Sequence, residues 1–81
     1  MASEVEKKNQ IDYIRIFKAD NELFDLMTEY LKLKNNYHEP KDAEKFRQLA
    51  EQHLTDEIID YEKASRLMKT AYKIIKACNG L

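Results

Sequence analysis

Eighty-one residues limit the chain to one domain with a modest core, which must be densely packed or shared with a partner. Apolar side chains make up 43% and charged ones 36%, a balance too apolar for a disordered chain and too charged for a membrane-spanning one. One Gly and one Pro leave too few turn formers for a many-stranded sheet, the lone Cys78 has no internal disulfide partner, and a net charge of −1 gives no overall basic field.

The composition predicts an all-α fold, a compact three- or four-helix bundle over residues 1–81, with helices near 4–18, 21–35, 40–54 and 56–78. The polar opening MASEVEKKNQ has no apolar signal-peptide core and no run is long enough to span a bilayer, so a cytoplasmic protein without membrane association is expected. In the first segment Ile11, Tyr13, Ile14, Ile16 and Phe17 would also suit a short strand; helix is the preferred reading. Asp20 is a ready N-cap for the second, where Leu23, Met27, Tyr30, Leu31 and Lys34 share one side and Glu22, Asp25 and Glu29 the other. Asn35 to Lys41 holds two Asn and the only Pro, and Pro40 suits the first turn of a third helix whose Ala43, Phe46, Ala50 and His53 recur every three or four residues.

The last segment has the clearest pattern. Tyr61, Ala64, Leu67, Met68, Ala71, Tyr72, Ile74, Ile75 and Cys78 cover an arc of roughly 160°, broad enough for two neighbouring helices. Thr55 is the expected cap and Asn79–Gly80 the expected stop. Periodicity alone permits one long helix through 40–78. Acids after Thr55 and lysines near the end suit the dipole of a helix starting there, so a break or kink at Thr55 is favoured.

Three features bear on chemistry. Lys63, Arg66, Lys69, Lys73 and Lys76 form a basic ridge about 20 Å long in a stretch without any acid. Such a ridge can contact phosphates or another anion, although a solvated face that complements the helix dipole explains the same residues. His53, Glu57 and Asp60 would share a stripe if the helix ran on through Thr55, yet one helix supplies too few ligands for a metal, so none is expected. Arg47 and His53, separated by five residues, resemble the Arg and His spacing of the HEPN family of helical ribonucleases, in which two chains pair to form one site. The resemblance covers seven residues and departs from the family at Gln48, where a small polar residue is usual. It implies that Arg47 would stabilise phosphate and His53 would transfer protons during RNA cleavage.

One Gly and one Cys cannot build a phosphate loop, a CxxC pair or a nucleophile elbow. No cofactor or small-molecule substrate is indicated. His38, beside Glu39 and Pro40, reads as a surface residue, and the aromatics read as core, with Tyr30, Tyr37 and Tyr61 as alternative interface anchors. The expected function is therefore a non-catalytic protein-interaction or regulatory module acting through a helix face or self-association, with a nucleic-acid-binding regulator and a HEPN-like ribonuclease as alternatives.

Overall fold

The computed structural model describes residues 11–55 and 58–81. They form four helices and, among the described residues, no strand: α1 Tyr13–Ala19, α2 Asn21–Asn36, α3 Lys41–Thr55 and α4 Tyr61–Cys78. The all-α expectation holds. No helix among the described residues is long and apolar enough to cross a membrane.

Helix α1 starts later than the expected 4–18 span. Residues 1–10 lie outside the described residues, Ile11 and Asp12 are not helical, and the Asp12 carboxylate caps α1 by accepting from the Arg15 N–H at 3.1 Å. The strand-compatible run is helical, and Ile16 is its one fully buried residue. Asp20 serves both neighbours: its N–H donates to the Ile16 carbonyl at 2.7 Å, closing α1, and its carboxylate accepts from the Leu23 N–H at 3.1 Å, opening α2 as expected.

Along α2 the buried set is Leu23, Met27 and Tyr30, spaced four and three. Leu31 lies at the edge of that stripe and is exposed; Lys34 keeps the stripe's phase but is exposed in the last turn of α2, where its charge acts on the Glu39 carboxylate. Pro40 sits just ahead of α3, its carbonyl accepting the first helical N–H, from Glu44 at 3.0 Å. It therefore stands at the cap, where a missing N–H costs nothing.

The preferred break between the third and fourth segments is present, but the fourth helix does not start near Asp56. Thr55 ends α3, with its hydroxyl donating to the Gln52 carbonyl at 3.3 Å. Asp60 is the cap of α4 instead, accepting from the Lys63 N–H at 3.0 Å. Asp56 and Glu57 lie outside the described residues. The Asp60 N–H donates to the His53 carbonyl at 3.2 Å, which folds the connection back onto the end of α3.

Helix α4 is the centre of the bundle, packed most extensively on α3 and then on α2, while α1 packs mainly on α2. Its buried residues are Ala64, Met68, Ala71 and Ile75, flanked by the half-buried Tyr61, Leu67, Tyr72 and Ile74; Cys78 is exposed at the end of the expected arc. Ala43 and Ala50 on α3 and Ala64 and Ala71 on α4 are all fully buried. Side chains this small favour an axis separation near the lower end of the ~8–10 Å range for packed helices. The helix stops as expected: Gly80 takes φ 71°, and the Leu81 N–H reaches back to the Lys76 carbonyl at 2.8 Å.

Candidate interaction surface

Arg47 is held in a polar network that joins three parts of the fold. Its Nε donates to Glu39 Oε2 at 2.8 Å, and its Nη1 donates to both carboxylate oxygens of Glu51, one helical turn along α3. The hydroxyl of the fully buried Tyr30, on α2, donates to the same Glu39 oxygen. Burial pushes the Glu39 carboxyl up, but the hydrogen bonds from Arg47 and Tyr30 outweigh it and hold the group below its ordinary value. Burial works against the Arg47 charge as well, and the two carboxylates more than offset it, so its pKa is raised. The network thus ties α2, the 37–40 connection and α3 together, and no buried side-chain polar atom among the described residues lacks a partner.

The other polar candidates scatter. His53 is half-buried at the end of α3, and Asp60 is engaged as the α4 cap. The stripe expected for His53, Glu57 and Asp60 depended on a continuous helix; α3 ends at Thr55 and Glu57 lies outside the described residues. Among the described residues no group of three His, Cys, Asp or Glu side chains is placed to hold a metal ion. His38 is exposed as expected, and Asn79 clamps its backbone: Asn79 Oδ1 accepts from the His38 N–H at 3.3 Å and Nδ2 donates to the His38 carbonyl at 2.8 Å.

Lys63, Arg66, Lys69 and Lys73 are exposed along the outer side of α4. Arg66 pairs with Glu62 across one turn, both side chains about three-quarters exposed (75% and 76%), a geometry that contributes little. Lys76 stands at the edge of the ridge, half-buried, with its Nζ 5.1 Å from the centre of the Tyr72 ring. The ridge is therefore exposed, but one member is internally paired and another lies over an aromatic ring.

A different surface stands out on α1, where Tyr13, Ile14 and Phe17 are 37%, 70% and 47% exposed. The Phe17 ring meets Phe24 of α2 edge-on, with centroids 5.1 Å apart and planes at 76°. Tyr13, Ile14, Phe17 and Phe24 line an open apolar groove of about 330 Å³. Burial, and then the nearby Glu51 carboxylate, raise the Tyr13 phenol pKa above its ordinary value against the opposing pull of Arg47. On the other side of Ile14 a second depression of about 470 Å³ is bordered by Arg15, Lys18, Ala19 and Tyr61.

Sequence reasoning placed these aromatics in the core. Tyr13, Ile14, Ile16 and Phe17 spread over about 160° of a helix that packs mainly on α2, so Ile16 is buried while the residues beside it are left partly in solvent. The alternative anchors divide: Tyr30 is fully buried, Tyr61 is half-buried and Tyr37 is 47% exposed. Compared with protein-family models, curated proteins and solved structures, the chain matches none.

Proposed function

We propose that the protein is a non-catalytic, cytoplasmic interaction module whose binding surface is the outer face of α1. The observation that carries this reading is the adjacency of Tyr13, Ile14 and Phe17, large apolar side chains left in solvent around a groove with wholly apolar walls. Apolar surface gathered in one place contributes affinity when covered, at about 25 cal/mol per Å² before association costs. Aromatic side chains supply that area with few rotamers to freeze. The network around Arg47 supports the reading by giving that residue a role in rigidity, which a docking surface needs.

A nucleic-acid regulator is the second reading, favoured by the exposed Lys63, Lys69 and Lys73, none of which has an ion-pair partner among the described residues. A photo-crosslinking phenylalanine analogue placed in cells at position 17 or at position 73 separates the two. The first reading expects discrete polypeptide adducts from position 17 that Ile14→Asp abolishes, and few from position 73. Adducts to nucleic acid from position 73, with none from position 17, would favour the ridge.

A further inference from the structure

The chain holds a single glycine, Gly80, and the residue before it is an asparagine. Asn9, Asn21, Asn35 and Asn36 are each followed by a residue with a β-carbon, which shields that residue's backbone nitrogen. At Asn79 the shield is missing: Gly80 is exposed, and the space a β-carbon would take there is open. A nitrogen so placed is the one best able to attack the side-chain amide of its neighbour.

That amide is also one the fold uses. Asn79 Oδ1 accepts from the His38 N–H at 3.3 Å, and Nδ2 donates to the carbonyls of His38 and Ile75, both at 2.8 Å. The side chain thus satisfies one of the last carbonyls of α4 and pins the connection between α2 and α3 to the end of that helix. Both carbonyls need a donor, and a carboxylate has none to give. A negative charge would also stand at the C-terminal end of the α4 dipole, where it is disfavoured.

We propose that Asn79 is a site of spontaneous deamidation, and that its conversion to aspartate or isoaspartate unfastens the end of α4 from the connection that precedes α3. The Gly80 nitrogen loses its proton and bonds to Asn79 Cγ; the Cγ–Nδ2 bond breaks, and ammonia leaves with the balancing proton. Water then adds to one of the two carbonyl carbons of the resulting succinimide and breaks its bond to the Gly80 nitrogen, which regains a proton. Opening at Cγ gives aspartate. Opening at the main-chain carbonyl gives isoaspartate and lengthens the backbone by one carbon, just where Gly80 takes φ 71° and the Leu81 N–H returns to the Lys76 carbonyl. Water is the only co-reactant. While His38 and Ile75 hold the amide, Cγ is kept from the Gly80 nitrogen, so the reaction proceeds through the opened clamp. The change runs one way, and the joint is lost with the age of the chain.

Mass spectrometry of the purified full chain, aged at neutral pH in buffer and in urea, tests the reaction, with peptide mapping to place the change and electron-transfer fragmentation to separate aspartate from isoaspartate. Asn79 should convert before Asn35 or Asn36 in both settings. It should do so roughly 10–100-fold more slowly in buffer than in urea, the ratio expected when two or three hydrogen bonds of ordinary net strength must open first. Amide exchange by NMR tests the consequence, with circular dichroism confirming the fold of Asn79→Asp. In that variant the carboxylate turns away from the two carbonyls and the His38 N–H loses its acceptor, so its exchange should speed up by roughly 5–10-fold while Tyr30 and Ala71 stay unchanged. Asn79 intact in buffer after about 100 half-times of the urea reaction, or converting no faster than Asn36, overturns the site. Equal rates in buffer and urea overturn gating by the clamp, and unchanged His38 exchange in Asn79→Asp overturns the unfastening.

Discussion

Replacing Arg47 by Met removes one charge from the most enclosed ion-pair network described and leaves most of the side-chain length in place. In the native chain the Arg47, Glu39 and Glu51 side chains are 14%, 10% and 27% exposed, so water reaches Glu39 least. Without its partner at 2.8 Å, Glu39 must stay charged with the Tyr30 hydroxyl as its remaining donor, or take up a proton. Breaking a buried pair from one side costs about 3–5 kcal/mol. The surviving Tyr30 donor and the partial exposure of Glu51 place this case at the lower end, near 3 kcal/mol. A domain of this length has a total stability of about 4–12 kcal/mol, so the loss is a large fraction of it. With a urea slope near 1 kcal/mol per molar, the unfolding midpoint at neutral pH should fall by about 3 M.

The pH dependence carries a sign. In the native chain the Glu39 carboxyl is held below its ordinary value, so its contribution is complete above the ordinary carboxylate range and is lost as pH falls through the lowered folded value. In Arg47→Met, burial acts against the same carboxylate with the Tyr30 hydroxyl as its remaining hydrogen-bond donor, and acidification relieves the penalty. The stability gap between native chain and variant should therefore narrow from pH 7 to about pH 4. Adding Glu39→Gln to Arg47→Met should recover about 1–2 kcal/mol at neutral pH by removing the stranded charge. A gap below about 1 kcal/mol at neutral pH, or one that does not change with acidification, would refute the role assigned to the network.

Capping and packing give two further expectations. Asp60→Ala should cost about 1 kcal/mol and Thr55→Ala less than about 0.5, measured by thermal denaturation, because the first caps α4 and the second only closes α3; the reverse order would contradict the placement of the α4 start. Ala64→Leu or Ala71→Leu should destabilise by about 1–3 kcal/mol, lowering Tm by about 4–8 °C per kcal/mol, while the same change at the exposed Ala77 should be nearly silent.

Much of the fold was legible because its signals are local. Asp20 precedes an apolar pattern of period 3.6, and Asn79–Gly80 follows one; both act as read. The start of α4 was misplaced because Thr55 and Asp60 are both capping residue types with helical patterns after them. The choice between them favours Asp60, and the β-branched Ile58 and Ile59 ahead of it weaken helix propagation from Thr55. The partners of Arg47 were not equally legible: Glu51 at i+4 was readable from spacing, whereas Glu39 and Tyr30 reach it only through the packing of separate elements. The α1 surface was hidden for a different reason. Periodicity identifies apolar residues that share a helix, and it does not report how many of them the rest of the fold has room to cover.

Under the proposed function, the face of α1 formed by Tyr13, Ile14 and Phe17 is covered when the protein works. Carbene footprinting reads this at the side chains themselves, in the dilute purified chain and in cells. A covered α1 face requires strong labelling of Ile14 and Phe17 in the dilute chain, marked protection of both in cells, and unchanged labelling of Leu81, which is 50% exposed at the far end of α4. Equal labelling of Ile14 and Phe17 in the two settings, with protection along Lys69 and Lys73 instead, would contradict it.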